Sequence, residues 1–398
     1  MKTILDFSNP HQPESARLRQ VFGRPLQSWA AHSLDEVAAV LEAVQQAAEQ
    51  GLWCVGWLAY EAASAFDPAY ADAVHPPQPG QPLAWFGAHQ APSASALVQE
   101  NTAPVLTAPD VQWHSPLQRE QFETGVARIH DAIAAGDCYQ VNYTAALQAT
   151  VGDAVQASES ALAQAWFARL QQAQPGGYAA LIDSGDTQVM SVSPELFFDW
   201  DGTQILTRPM KGTAARGATP EADAEAAQEL RSSAKERAEN VMIVDLLRND
   251  LSRIAEPHSV RVPRLFQLQA LPAVWQMTSD VVARTREGLR LVDVFAALFP
   301  CGSITGAPKR QAMRLIRELE PQPRGVYCGA LGVVRPGLVP GRIRATFNVP
   351  IRTVVQHGGR LSCGIGSGIT SSATAQGEWM EWQHKQVFAR SLTRGESA

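Results

Sequence analysis

The chain has 398 residues, 45% of them hydrophobic and 18% charged, with 33 basic against 39 acidic residues and a formal net charge of −6. This is globular composition, without the run of about 18 apolar residues that a membrane span needs and without the basic runs that nucleic acid attracts. Five scattered cysteines (Cys54, Cys138, Cys301, Cys328 and Cys363) form no CxxC pair, and the first 15 residues lack the apolar core of a signal peptide, so reduced thiols in a cytoplasmic protein are expected.

Residues 1–88 mix short strands with one helical stretch at about 34–50, and Leu52–Tyr60 reads as a buried strand. The Pro-, Ala-, Ser- and Gln-rich segments 74–82 and 88–110 mark loop or linker, with a boundary near residue 112 between an N-terminal part (1–112) and a larger C-terminal part (113–398). Phe122, Val126, Ile129 and Ile133 follow helical spacing, with Gly136 placed as a cap. Tyr139–Thr144 alternates as a strand, with Tyr139, Val141 and Tyr143 on one face and Gln140, Asn142 and Thr144 on the other. Leu196–Trp200 and Thr203–Thr207 flank Asp201-Gly202, a two-residue hairpin signal. Helices are predicted at about 220–230 and 234–248, after Pro308, and at about 377–393, and strands at Val326–Val334, Arg342–Val355 and Leu361–Ile369. Hairpins without a regular βα repeat predict an α+β fold of antiparallel sheets with packed helices.

Several constellations could carry chemistry. Glu236 and Glu239, and Glu378 and Glu381, form two ExxE pairs on helices, and Lys385 continues the second stripe. Carboxylates converging from two helices suit a hard cation such as Mg²⁺, although ExxE is common on solvated faces and Ser233-x-x-Glu236 also reads as a capping box. Glu195 and Lys211 are brought together by folding at Asp201-Gly202, either as an acid–nucleophile pair or as an ordinary cross-strand ion pair. Gly302–Lys309 offers backbone N–H groups before a helix, with Pro308 at its first position, which is an anion site or simply a glycine-containing loop. Gly364-Ile-Gly-Ser-Gly368 lacks a following βαβ unit and is not a dinucleotide loop. Arg352 sits on the alternate strand face from Ile351, as a carboxylate clamp or a solvent-facing side chain.

Seven ordered blocks over about residues 115–395 resemble the chorismate-utilising enzymes. They are GDCYQVNYT (136–144), SPELFF (193–198), RPMKGTAARG (208–217), KERAENVMIVDLLRNDLSR (235–253), CGSITGAPKRQAM (301–313), IRT (351–353) and GIGSG…EWMEWQHK (364–385). The family includes anthranilate, aminodeoxychorismate, isochorismate and salicylate synthases. Gly56–Glu61 (GWLAYE) resembles the family's amino-terminal part. Water-adding members carry Lys where this chain has Gln140. At Lys211 anthranilate-forming members carry Ala and aminodeoxychorismate-forming members Lys, and at Gln276 anthranilate-forming members usually carry His. These positions imply an ammonia-using enzyme that makes 4-amino-4-deoxychorismate for 4-aminobenzoate and folate synthesis, with anthranilate formation as the rival.

The resemblance implies two antiparallel sheets sandwiched together, helices outside, and a site in the cleft. Mg²⁺ would be held by Glu239 and Glu381, supported by Glu236 and Glu378. Gln140, Thr213, Gly302, Ser303, Thr305, Gly306, Ala307, Tyr327, Arg352, Gly366, Ser367, Gly368 and Lys385 would contact chorismate, with Lys211 as nucleophile and Glu195 as acid. The chain shows no glutaminase nucleophile with a His/Glu pair, so ammonia would come from a separate glutamine amidotransferase subunit, and an aminodeoxychorismate lyase would act on the product. The segment TSSATAQG (370–377) departs from the family's usual Asp-Ser-x-Pro before the last ExxE.

Overall fold

The computed structural model describes residues 1–12, 17–92, 109–115, 117–151, 158–271 and 274–393. Most of the 88–110 linker expected from composition lies outside the described residues. In chain order the elements are β1 (Thr3–Phe7), β2 (Leu18–Phe22), β3 (Gln27–Ala31), α1 (Leu34–Glu49), β4 (Trp53–Leu58), α2 (Ala63–Phe66), β5 (Ala84–His89), α3 (Arg119–Ala134), β6 (Gln140–Thr150), α4 (Glu159–Ala173), β7 (Tyr178–Asp183) and β8 (Thr187–Ser193). There follow β9 (Leu196–Trp200), β10 (Gln204–Arg208), β11 (Met210–Ala215), α5 (Pro220–Ser232), α6 (Ala234–Ser252), β12 (Arg261–Ala270), β13 (Val274–Arg284) and α7 (Leu291–Leu298). The last are β14 (Gly306–Ala307), α8 (Lys309–Leu319), β15 (Ala330–Pro336), β16 (Ile343–Asn348), β17 (Thr353–His357), β18 (Arg360–Thr370) and α9 (Ala375–Arg390).

Two sheets form, one of eight strands ordered β14-β6-β18-β17-β8-β7-β1-β2, the other of ten running β11-β13-β10-β9-β16-β15-β4-β5-β3 with β12 on β13. Neighbouring strands pair antiparallel, as the hairpin signals predict. Strands before residue 112 enter both sheets, β1 and β2 the first and β3 to β5 the second. Three apolar clusters explain the layering. One packs α1, α6 and α7 on the ten-stranded sheet, a second packs α3, α4, α8 and α9 on the eight-stranded sheet, and a third joins the sheets through Phe7, Trp57, Trp85, Tyr178, Leu206 and Leu331. The fold is therefore α+β, a β-sandwich with helices outside. Among the described residues, β6, β18, β11 and β14 give nothing to the inter-sheet cluster. The sheets separate there, and polar side chains occupy the resulting cleft.

Local sequence explains most elements. Ser233, Thr374 and Ser158 each accept an N–H of the first turn of α6, α9 and α4. Gly136, at φ 82, follows α3 as expected of a left-handed cap. Tyr139 departs from the predicted alternation. It precedes β6 and is exposed, while Val141 and Tyr143 enter the core. Val326–Cys328 is turn rather than strand, with Cys328 at φ 63. Arg342–Val355 is two strands in different sheets, because the chain crosses from β16 to β17 through 349–352. Arg352 stands in that crossing at φ 50, not on a strand face. Pro308 is the N-cap of α8 rather than its first residue.

Candidate active site

The cleft floor is the glycine stripe of β18. Gly364, Gly366 and Gly368 pair with Ala146, Thr144 and Asn142 of β6. A methyl group at Gly368 would lie 2.8 Å from Gln140 Nε2 and 3.1 Å from Lys211 Nζ. One at Gly364 would lie 2.3 Å from the Tyr327 ring. The stripe thus runs from Lys211 and Gln140 at one end to Tyr327 at the other, and only glycine permits both approaches.

Lys211 comes from the opposite sheet. The β9–β10 ladder ends at Arg208 opposite Leu196, and the chain then swings to β11 on β13. This carries Lys211 over Gly368 while leaving Glu195, just before β9, beside it. Thr213 is exposed and donates to Gln276 Oε1 at 3.0 Å, and Gln276 Nε2 donates to the Gly212 carbonyl at 2.8 Å. Gln276 therefore fixes the backbone next to Lys211 rather than facing the cleft alone.

Glu195 is buried, and its carboxyl is raised to about 7 by burial, opposed by the Ser303 hydroxyl, the Lys211 charge and the Met210 N–H. Its backbone is anchored twice: Val349 N–H donates to its carbonyl at 3.1 Å, and its N–H to Ser193 Oγ at 3.2 Å. Among the described residues its Oε1 finds no hydrogen-bond partner, nor does either side-chain polar atom of Gln140, which is fully buried. Buried amide and carboxyl atoms of this kind are held for a ligand or cost the fold dearly.

Glutamates of α6 stand beside Lys211, and those of α9 stand beside them in turn. Glu236 lies over Gly212, where a methyl group would be 3.1 Å from Oε2. Glu239 is half-buried and its pKa is raised, by burial first and then by Glu236 and Glu378, against the opposing charge of Lys211. Glu378 is buried, accepts from Ser367 Oγ at 2.5 Å, and is likewise raised, by burial first and then by Glu381. Glu381 turns outward and pairs with Lys385 at 2.6 Å, and Lys385 also donates to the Gly366 carbonyl at 2.7 Å. The inner carboxylate of α9 is thus Glu378 rather than Glu381. Among the described residues no three Asp, Glu, His or Cys side chains form a ready-made metal cage.

The loop before α8 differs from an open anion cradle. Gly302–Ile304 is a 3₁₀ turn, and Gly306–Ala307 pairs with Val141 and Gln140. Thr305 is buried and its hydroxyl is spent on the carbonyls of Cys301 and Gly302. Ser303 is buried between Cys301 and Glu195. Arg352 donates to Gln174 Oε1, and among the described residues it has no acidic partner. Burial lowers its pKa. A partly buried guanidinium without a carboxylate is suited to an anionic ligand. A cavity of about 880 Å³ adjoins the floor at Tyr327 and Gly364 and extends past Thr144 to Glu320 and Arg324.

Sequence reasoning missed the polar residues that hold these parts from behind. Lys309 and Asp250 form a buried pair at 2.7 Å linking α8 to α6. Glu320 and Arg324 bind the outer edge of β6. Asn240, buried beside Glu239 in the chain, meets Ser279 Oγ at 2.5 Å. Lys309, Asp250 and Asn240 lie inside quoted motifs, and the i, i+4 spacing of Glu320 and Arg324 across a Pro-Gln-Pro segment was the available signal for that pair.

Residues 9–390 match the chorismate binding enzyme family. Aminodeoxychorismate synthase component 1 of Klebsiella aerogenes is 40% identical over 300 residues, 75% of this chain and 61% of that protein. The Escherichia coli K12 protein of the same description is 39% identical over 270 residues, 68% of this chain and 56% of that protein. Anthranilate synthase component 1 of Streptomyces coelicolor is 37% identical over 289 residues, 72% and 54% of the two chains. The chain thus spans a little over half the length of these curated relatives. Among solved structures, anthranilate synthase component I of Streptococcus pneumoniae TIGR4 superposes with TM-score 0.74 at 24% identity, over 98% of this chain and 90% of that one. The menaquinone-specific isochorismate synthase MenF of Escherichia coli gives 0.75 at 18%, over 99% and 88%. These likenesses speak for the fold.

Proposed function

Since the chain belongs to the chorismate binding enzyme family, we propose that it converts chorismate and ammonia to 4-amino-4-deoxychorismate. The observation that carries this reading is the meeting of Lys211 Nζ with Gln140 Nε2 over Gly368. A lysine amine supplies a nucleophile, and the neutral amide beside it offers no general base to activate water.

In this reading Lys211 Nζ attacks ring carbon C2 while the C4 hydroxyl leaves as water, protonated by Glu195. The two ring double bonds shift in that step; ammonia then adds at C4, both double bonds shift back, and Lys211 is expelled with its electron pair. Burial keeps Glu195 protonated near neutrality, as a proton donor requires. Arg352, lacking an acidic partner, supplies a substrate carboxylate clamp.

Glu239 and Glu378, with Glu236 beside them, carry mutually repelling charge that a divalent cation relieves. That donor set fits Mg²⁺, which takes one or two carboxylates and completes its shell with waters and substrate oxygens. When bound, Mg²⁺ would neutralise the substrate's ring carboxylate. The ammonia source in this reading is a glutamine amidotransferase subunit, consistent with the relatives' designation as component 1, and a lyase would remove pyruvate from the product.

Purified protein with chorismate, MgCl₂ and ammonium salt at pH about 8.5 tests the reading, with products separated by chromatography and mass. Aminodeoxychorismate, converted to 4-aminobenzoate by added lyase and lost in Lys211→Ala, is the expected result. Anthranilate as product overturns it.

A further inference from the structure

The middle of the outer edge of β6 is completed by side chains instead of a strand. β14 covers only Val141 and Gln140. Asn142 N–H donates to the Thr305 carbonyl at 2.8 Å, and beyond it, among the described residues, the edge meets backbone again only at the isolated bridge of Gln148 to His114. Arg324 Nη2 donates to the Asn142 carbonyl at 2.7 Å, and Glu320 Oε1 accepts Thr144 N–H at 2.8 Å. The two side chains are joined to each other by a bidentate pair at 2.8 and 2.6 Å. Arg324 Nη1 also donates to the Ile304 carbonyl at 2.8 Å, binding the turn that carries Ser303 and Thr305. Both side chains are almost fully buried. The guanidinium stacks on Tyr60 at 4.7 Å, and Glu61 accepts the Arg324 and Gly325 N–H groups at 2.7 and 3.0 Å.

We propose that the Glu320–Arg324 pair is a positioning element for the reaction, holding β6 and the Ile304–Thr305 turn in register so that Gln140 and Glu195 meet Lys211 over the glycine floor. A planar guanidinium is what this geometry requires. It must reach one carboxylate and two carbonyls in three directions at once, which a lysine ammonium cannot match. Neither residue faces Lys211, so the pair acts through the strand and turn it binds. The assignment of Lys211 and Glu195 as reacting groups rests on the function proposed above.

The test compares the parent with Arg324→Lys, Arg324→Ala and Glu320→Gln, scored as chorismate consumed per folded molecule. Arg324→Lys is expected to keep a cooperative thermal transition and to lose about ten- to a hundredfold in kcat/KM, mostly in kcat, since misplacement of about 1 Å at a reacting centre costs on that scale. Methylguanidinium should restore several-fold activity to Arg324→Ala and none to the parent. Glu320→Gln, which keeps an acceptor for Thr144 N–H, should lose less than Arg324→Lys. Parental kcat and KM in folded Arg324→Lys, or losses that only track the unfolded fraction and resist methylguanidinium, overturn the proposal. Consumption to a product other than aminodeoxychorismate refutes the proposed function and leaves this comparison standing. If the parent consumes no chorismate, calorimetric titration with chorismate decides, and equal affinity in parent and Arg324→Lys overturns the proposal.

Discussion

Gly368→Ala places a methyl group at the one point where the two sheets' reacting groups meet. The new carbon would stand 2.8 Å from Gln140 Nε2 and 3.1 Å from Lys211 Nζ, where ordinary contact begins near 3.4 Å. Gln140 is fully buried and cannot swing aside, so one or both groups retreat by roughly half an ångström. If displacement of about 1 Å costs about a hundredfold, this one costs about tenfold in kcat. Stability should fall by less than about 1 kcal/mol, because Gly368 faces the cleft and its φ lies outside the left-handed region. Gly366→Ala is the contrast. Its methyl group would meet the Tyr143 carbonyl and Thr144 Cγ2 at 2.5 Å, so it should lose stability as well as rate. Steady-state chorismate consumption and thermal melting separate the two. A Gly368→Ala enzyme with parental kcat/KM would refute the idea that Lys211 must rest beside Gln140 to react.

Glu195 gives a prediction in pH. Its carboxyl is about 7 in the folded protein against an ordinary 4.5, so its contribution to stability is fully present below 4.5 and is lost as pH rises through 7. Glu195→Gln should therefore unfold at higher urea than the parent at pH 8, by up to about 3 kcal/mol, with the gain vanishing near pH 4.5, while chorismate turnover is lost. A Glu195→Gln variant no more stable than the parent at pH 8 contradicts a carboxyl raised by burial. Lys309→Met leaves Asp250 buried alone and should cost about 3–5 kcal/mol in urea unfolding. Adding Asp250→Asn should recover part of it, and a single-variant loss below about 1 kcal/mol would show that the pair is not the tie between α6 and α8.

How far the sequence carried the fold depended on where information was local. The period-two run at 140–144, the Asp201-Gly202 turn and the apolar spacing of α3 each report neighbours within a few residues, and each element formed. Strand partnering across the molecule left no such mark. Nothing local in Arg342–Val355 tells that its two halves belong to opposite sheets, since both are apolar and buried. Arg352 sits in the link between them. Its alternation with Ile351 mimics a strand, and only the crossing gives it φ 50.

The site follows the same division. The residues read as reacting groups stand in motifs, but the proximity of Lys211 to Gln140 arises because the β9–β10 hairpin stops pairing after Arg208 and hands the chain to β13. Had that ladder continued in register, Lys211 would have stood opposite Ser193, two residues before Glu195, as an ordinary cross-strand neighbour. The break converts that neighbour into a lysine shared between Glu195, Gln140 and the glutamates of α6. The same logic governs the carboxylate stripe of α9. Both Glu378 and Glu381 lie on it, but Trp382 packs against Phe122 and donates to Ser367 at 3.0 Å, which seats the helix with Glu378 inward. Aromatic packing one turn beyond Glu378 on the same face of α9, invisible in the ExxE spacing, thus decides which carboxylate is buried.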